Sequence, residues 1–596
     1  MFARLLKFFD ILRRTVGAII FLALLALLGA ALISSRPSVP QDALLVLNPE
    51  GEIVEELNIP SSFPPDFSAA GQTRLSDLLH VLRTARDDDH ITGMLLDLQN
   101  MDHASLPAMQ SLGREIDAFR KNGKKVITYA NHYSQTQYHL AAHADEIWLH
   151  PMGMVLLTGL SSYRNYFADA LERIHVKIHL FRAGTYKSAA EPLVRNDMSD
   201  AAREETQSLL AQLWQAYKID IAAARPITSQ TIQSMLDDPK SALTQYAGDP
   251  AALALGIHLV DHIGTRSDMM DALDKETQTA QPRIKFREYL HAIGDEPEGD
   301  GAKIGILTAS GMITDGQLAS GGLNGDDFSE LIETALEDSS IKAVVLRIDS
   351  PGGSAQASET IRRALLRLQR NGKPIVVSMA GIAASGGYWI AADADEIWAT
   401  PTTITGSIGV FGVFPDFAAG LDSLGIHSDG VGTTAIAGGL RPDRPLPQVV
   451  ADVLQTGVDH VYASFLDIVS KGRHLQPKKT AQLADGRVWS GSDAMRLGLV
   501  DHLGDLDQAV AAAARRAGLE DDYGVKRIRA KQSLSDMLLE TFLGESGVRQ
   551  AGILILASLT GGLSTHLQGA GNNAANWLHM LNASGGTYAY CELSPF

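Results

Sequence analysis

Residues 122–148 (NGKKVITYANHYSQTQYHLAAHADEIW) return, one residue longer, as residues 371–398 (NGKPIVVSMAGIAASGGYWIAADADEIW). The echo extends to both sides. ITGMLLDL at 91–98 parallels IKAVVLRI at 341–348, and GIHLVDHIG ending at Gly264 parallels RLGLVDHLG ending at Gly504. Self-similarity on this scale means two copies of one folded unit in tandem. In each copy short apolar, β-branched runs alternate with helical stretches such as 358–370, the pattern of α/β units around a mainly parallel sheet. At 596 residues the chain is too long for a single core, so one core per copy is expected.

The repeat sets the expected boundaries: a first domain at 42–273, a polar linker at 274–300 that includes GDEPEGDG, a second domain at 301–519, and a tail at 520–596 where the pattern fades. The tail's apolar run, 551–563, is too short to span a bilayer and reads as buried packing or a peripheral membrane contact. Ahead of the first copy, residues 15–33 (TVGAIIFLALLALLGAALI) carry no charge. At about 1.5 Å per residue this run matches the ~30 Å hydrocarbon core of a membrane. Arg4, Lys7, Arg13 and Arg14 precede it, whereas Asp42, Glu50, Glu52, Glu55 and Glu56 follow. The positive-inside rule then leaves residues 1–14 in the cytoplasm and everything after the span on the outer face. A cleaved signal peptide has an apolar core of ~7 to 15 residues with a small-residue site after it. This run is longer and no such site follows, so an uncleaved single-pass anchor is expected.

A net charge of −18 sets nucleic acid aside as a partner, since phosphate backbones are bound by clustered Lys and Arg. The one cysteine, Cys591, can make neither an internal disulfide nor a cysteine-rich metal site. No HExxH, Walker A or GxGxxG stands in the right context, so neither metal nor nucleotide cofactor is implied.

An internal repeat separates fold from function: what both copies keep serves the fold, and what one copy holds alone is a candidate for chemistry. Ala-Asp-Glu-Ile-Trp and Val-Asp-His occur in both, which makes His262 and His502 structural. Ser385 lies between the apolar run 374–379 and the helical run GGYWIAADA, at a strand-to-helix junction, with Gly386 and Gly387 after it. Those glycines let backbone approach closely and leave helix N-terminal amides to face a negative charge. Such small residues also serve simple close packing. The first copy has Gln135 at this position, between Ser134 and Thr136, and no glycine pair. DSPGGS at 349–354 likewise exists only in the second copy, where its turn offers backbone amides for an oxyanion. The reverse holds for FRAGTYKSAAEP at 181–192, because aligning 178–189 with 426–437 puts Ala435 opposite Lys187. A lysine is usually a solvated surface charge. Here Gly184, Ala189 and Ala190 flank it, small enough for two domains to close over it. A serine from one half and a neutral lysine from the other would form a composite dyad for acyl transfer. His427 and His474 lack supporting motifs for a triad, and the S-x-x-K spacing of Ser339 and Lys342 falls on a helix-to-strand turn.

DSPGG at Asp349, AASGGYWIA at Ala383, TGSIGV at Thr405, YKSAAEP at Tyr186 and the C-terminal VDHLG closely resemble the signal peptide peptidase A (protease IV) family in its long duplicated form. The motifs stand in the family's order and the resemblance covers the anchor, both domains and the linker. It implies two tandem α/β domains of the Clp/crotonase type behind an N-terminal transmembrane helix. It further implies Ser385 as nucleophile, Lys187 as general base, and Ser407 as the serine that hydrogen-bonds the lysine. The oxyanion donors would be the amides of Gly386 and Gly353, the choice within the DSPGG turn remaining open. Ser407 is also confined to the second copy, the first reading LLTGL. The expected protein is a membrane-anchored serine endopeptidase without cofactor or metal. It would sit in the bacterial inner membrane with its domains on the periplasmic face and assemble as a homotetramer. Its substrates would be signal-peptide remnants and other hydrophobic peptides, bound by strand addition beside the serine. A crotonase-type acyl-CoA enzyme shares the expected fold and is the enzyme alternative. A degenerate membrane scaffold is the non-enzyme one.

Overall fold

The computed structural model describes residues 38–57, 71–277, 281–316, 322–519, 522–529 and 588–591. The expected anchor at 15–33 and most of the tail lie outside them. Two parallel sheets repeat one strand order. In the first half it is Arg283–Lys285, Ala43–Leu47, Ile91–Leu96, Lys125–Ala130, Glu146–Leu149 and His262–Ile263. In the second it is Gly524–Arg527, Lys303–Ser310, Ile341–Ser350, Ile375–Ala384, Glu396–Ala399 and His502–Leu503. Ile404–Gly406 and Val488–Ser490 extend the second sheet beside the far end of Ile375–Ala384.

The central strands are apolar runs because helices cover both faces of a parallel sheet. Ile341–Ser350 is buried along nearly its whole length. The covering helices carry the complementary stripe: Leu75, Leu78, Val81, Leu82 and Ala85 recur at helical spacing on Leu75–Asp87 and are buried. Motifs shared by both copies act as structural pins. Tyr138 and Tyr388 donate to the carbonyls of Leu259 and Leu499, both at 2.7 Å. Asp261 and Asp501 accept from the amides of Ile147 and Ile397. His262 stacks on Trp148 and His502 packs on Trp398, so both histidines are structural.

Two boundaries differ from those expected. Within 274–300, Arg283–Lys285 pairs with Ala43–Leu47, and the following helix Phe286–Ile293 buries Phe286 and Tyr289 against the first half. Within 520–596, Gly524–Arg527 forms the matching edge of the second sheet and Tyr588–Tyr590 adds a strand elsewhere. Both edge strands are short, and polar residues mask them as loop.

The halves interlock. Lys177–Ala183 of the first half runs antiparallel to Val410–Asp416 of the second over seven registered pairs, from Val410 with Ala183 to Asp416 with Lys177. The long helix Asp200–Ala224 lies against Val488–Ser490, where Ser490 Oγ donates to Gln212 at 2.7 Å. Arg347, buried in the second sheet, donates to Glu55 of the first half at 2.5 Å and to Ser378 Oγ at 2.9 Å.

Candidate active site

The strand Ile375–Ala384 runs straight into the helix Gly386–Ala391, and Ser385 forms the corner between them. Its φ of +56° and ψ of −114° lie outside the regions favoured by L-residues, a strain of about 1–3 kcal/mol that must be held by its surroundings. The holding contacts are visible. Ser385 N–H donates to the Gly406 carbonyl at 2.8 Å, and its own carbonyl accepts from Trp389 N–H at 2.8 Å. Gly387 must be glycine, since a Cβ there would stand 2.7 Å from the Ser350 carbonyl oxygen, so the helix start is pressed onto the DSPGGS turn.

Lys187 arrives from the other half. The strand Lys177–Ala183 delivers the chain to Gly184, after which Thr185 N–H donates to Asp485 Oδ1 at 2.7 Å and Tyr186 N–H to the Asp485 carbonyl at 2.8 Å. Gly486 and Gly409 then let the lysine loop lie flat on the second domain. A Cβ on Gly486 would come within 2.6 Å of Lys187 N, and one on Gly409 within 3.2 Å of Lys187 Cδ. Arg487 covers this seam, its guanidinium 4.9 Å from the ring centres of both Tyr186 and Trp489.

Inside, Lys187 is 2% exposed and Ser385 fully buried. Lys187 Nζ lies 2.5 Å from Ser385 Oγ, 2.9 Å from the Ser407 carbonyl oxygen and 3.0 Å from Ser407 Oγ. The structure thus joins Ser385, Lys187 and Ser407, the three side chains expected from sequence. A neutral amine has two N–H groups and one lone pair. With the N–H groups donated to the two Ser407 oxygens, the lone pair is left for the Ser385 hydroxyl. Burial is what holds the amine neutral: loss of hydration pulls the Lys187 pKa down to about 7, opposed only by the nearby Cys591 and Glu205. Ser407 also has a positive φ, +52°, and its N–H donates to the Arg487 carbonyl at 2.7 Å, which turns both its oxygens toward the lysine.

Gly386 opens the helix beside Ser385, and its amide is among those without a helical acceptor. Gly353 has φ +154° and lies so close to the Ile313 carbonyl oxygen that a Cβ would stand 1.9 Å away. Gly352 N–H donates to Ser350 Oγ at 3.2 Å. In the first copy the same corner carries a glutamine instead of the serine. Gln135 opens the helix Gln135–Ala141, and its Oε1 accepts from the Thr158 and Gly159 amides at 3.2 and 3.0 Å. Ser134 is the N-cap of that helix, in a capping box with Gln137.

The alternatives stay at the surface. His427 is exposed beside Asp422, His474 is exposed, and Lys342 Nζ donates to the Ser339 carbonyl at 2.9 Å in an exposed turn. Among the described residues no group of three or more His, Cys, Asp or Glu side chains is placed to hold a metal. Two groups near the lysine escape sequence reasoning. Glu205, on Asp200–Ala224, is buried and accepts from Val488 N–H, and burial pushes its pKa up to about 8. Cys591, from the tail, is buried with Ala384, Ile404, Val488, Leu209 and Leu213. No local motif marks either, because each reaches the site only through tertiary packing.

Comparison with known proteins places both halves in one family. The family described as Peptidase family S49 matches residues 118–280 and 367–520, one stretch in each half. Protease 4 of Salmonella typhi is 39% identical over 479 residues, covering 79% of this chain and 76% of that one. Protease 4 of Haemophilus influenzae is 38% identical over 525 residues, covering 86% and 84%. The chloroplastic serine protease SPPA of Arabidopsis thaliana is 26% identical over 545 residues, covering 89% and 78%. A solved chain, the ClpP1 N165D mutant from Listeria monocytogenes, overlaps 34% of this chain and 94% of its own at 13% identity, with a TM-score of 0.23 that is too low to bear on the fold. With matches of this extent in both halves, the chain belongs to peptidase family S49 and is a serine peptidase.

Proposed function

We propose that the chain is a membrane-anchored endopeptidase that cuts hydrophobic peptides, signal-peptide remnants among them, by a Ser385–Lys187 dyad shared between its halves. The observation that carries this is the buried 2.5 Å approach of Lys187 Nζ to Ser385 Oγ. Lys187 takes the hydroxyl proton as Ser385 Oγ bonds to the substrate carbonyl carbon, and the amides of Gly386 and Gly353 hold the oxygen that becomes negative. The protonated lysine returns its proton to the departing amine, leaving an acyl-enzyme. A water activated by the same lysine then releases the peptide acid. Ser407 aims the amine throughout.

The halves belong, on this reading, to the Clp/crotonase type, and residues 15–33 form the anchor that places them on the periplasmic face of the inner membrane. A relative from Enterococcus faecium, 31% identical over 223 residues, carries the name putative signal peptide peptidase SppA, in line with the substrate class. Covalent labelling at Ser385 by a fluorophosphonate, absent in Ser385→Ala, is the expected result. An unlabelled Ser385 would return the protein to the acyl-CoA enzyme or scaffold readings.

The interlock between halves also supports a homotetramer. The pairing of Lys177–Ala183 with Val410–Asp416 has no equivalent for the sister segments, about 425–431 in the second half and 162–168 in the first. These leave Ile426, Val431, Tyr163 and Phe167 exposed. Repeating the same contact from one chain to the next would cover both and, if the rotation closes, make a ring.

A further inference from the structure

One face of the first half's helix Asp200–Ala224 is laid on the edge strand Val488–Ser490 of the second sheet. Glu205, Leu209 and Gln212 stand on that face at helical spacing. Glu205 is 3% exposed and accepts from Val488 N–H, Leu209 is buried with Val488, and Gln212 accepts from Ser490 Oγ at 2.7 Å. An edge strand has no further strand to take its outward N–H, so once buried that N–H needs a side-chain acceptor. The sister helix of the second half, Gln448–Gly472, is also 25 residues long and ends on Arg473, which pairs with Asp501 as Arg225 pairs with Asp261. That alignment sets Val453, Gly457 and His460 opposite Glu205, Leu209 and Gln212. All three are exposed, Val453 to 59%. Among the described residues, only the first helix therefore has this face docked, and it is docked beside the serine.

What the edge strand holds is the dyad's surroundings. Val488–Ser490 pairs antiparallel with Ile404–Gly406, and just past that pairing Ser407 N–H donates to the Arg487 carbonyl at 2.7 Å. Gly406, at φ +83°, lies so close that a Cβ would stand 2.9 Å from the same carbonyl oxygen, so the two strands cannot shift independently. The Gly406 carbonyl accepts from Ser385 N–H, and both Ser407 oxygens face Lys187 Nζ. A displacement at Val488 is thus passed to the anchor of the serine and to the two oxygens that aim the lysine.

Taking Ser385 and Lys187 as the dyad, we propose that Glu205 is its positioning residue from the first half: the carboxyl caps Val488 N–H and so fixes the Arg487–Val488 edge that sets Ser407 and, through Ser407, the Lys187 amine. The carboxyl acts uncharged. Burial keeps its proton on at neutral pH, although Arg487, Lys187 and Arg164 pull the other way. It therefore supplies an acceptor with little of the negative charge that would keep the lysine protonated.

The test uses the full chain in detergent as wild type, Glu205→Leu and Glu205→Gln, with peptide turnover counted per Ser385 labelled to completion by a fluorophosphonate. Glu205→Leu has no acceptor and is expected to lower kcat at least about tenfold with KM held within about twofold, since ~1 Å of misplacement can cost ~10²-fold and Glu205 touches no substrate. Glu205→Gln keeps the acceptor and should recover most of that loss. On a Ser407→Ala background Glu205→Leu should cost no more than about threefold, because residues that act through one another do not add. A purely structural role would lower Tm and leave kcat per labelled serine unchanged, which would overturn the proposal, as would losses that multiply across the Ser407→Ala pair. If Glu205→Leu does not fold, the infrared difference between wild type and Glu205→Gln at pH 7 carries the test: the band of a protonated carboxyl is expected, and a carboxylate band in its place overturns the proposal. A wild-type Ser385 that takes no label is a different result and removes the dyad itself.

Discussion

A lysine serves as a base only without its proton, and Lys187 is made to give it up by burial beside two oxygens of Ser407 rather than by a neighbouring cation. With its pKa at about 7, kcat/KM should rise with pH along a limb centred near 7 and level off above it, in a peptide-cleavage pH profile. Lys187→Arg, permanently protonated, should lose at least about 10²–10⁴-fold at every pH. A limb near pH 10 would mean that another group takes the proton. The same burial has a sign for stability. Between pH 7 and 10 the unfolded lysine binds a proton that the folded one does not, so stability rises with pH across this window. At pH 7 the folded state is held back by about 4 kcal/mol relative to an uncharged side chain. Lys187→Met should therefore abolish activity, raise Tm at pH 7 and flatten the climb of Tm between pH 7 and 10, readable by calorimetry.

Elements, rather than residues, place the three oxygens and the nitrogen. Ser385 owes its position to a corner between Ile375–Ala384 and Gly386–Ala391, and Lys187 to a loop laid on Asp485 and Gly486. Gly486 has φ +83°, and a Cβ there would intrude to 2.6 Å from Lys187 N. Gly486→Ala should leave the circular dichroism spectrum intact yet lower kcat strongly, because about 1 Å of misplacement can cost ~10²-fold. If the variant kept full turnover, the lysine loop would not depend on that contact. Ser134, whose position in the first copy falls next to that of Ser385, caps a helix instead, so its loss bears on stability rather than on catalysis.

For the whole molecule, the seam between halves holds the proposed active site and is also a source of stability. Arg347 is buried in the second sheet with its partner Glu55 in the first half, so Glu55→Ala strands a guanidinium without its counter-charge. The expected loss is about 3–5 kcal/mol in denaturant unfolding, larger than a surface pair would give. The proposed assembly makes its own prediction. Val431, fully exposed on the unpaired segment of the second half, should be covered in a tetramer, so Val431→Asp should shift the light-scattering mass toward monomer while the dyad stays labelled. A wild-type monomer would remove the tetramer. Proteolysis of spheroplasts should likewise degrade both halves from outside if residues 15–33 anchor the chain as proposed.

The duplication, the α/β alternation, and the residues Ser385, Lys187 and Ser407 were legible from the chain alone. A repeat compares its own copies, and each of these residues stands in only one of them, the lysine in the first and the two serines in the second. Ala-Asp-Glu-Ile-Trp and Val-Asp-His read as structural for the same reason, and the structure pins both sheets with them. The edge strands Arg283–Lys285 and Gly524–Arg527 were hidden, because runs of three or four residues with a single branched apolar side chain each gain strand character only from the neighbour they pair with. Glu205 and Cys591 were hidden more deeply. Their residue types say nothing of a site, and each lies far along the chain from the serine. Only folding, by closing the helix Asp200–Ala224 and the strand Tyr588–Tyr590 over the second sheet, strips water from all of them at once. That loss of water lowers the pKa of Lys187 and raises that of Glu205, and it depends on which surfaces meet rather than on which residues are present.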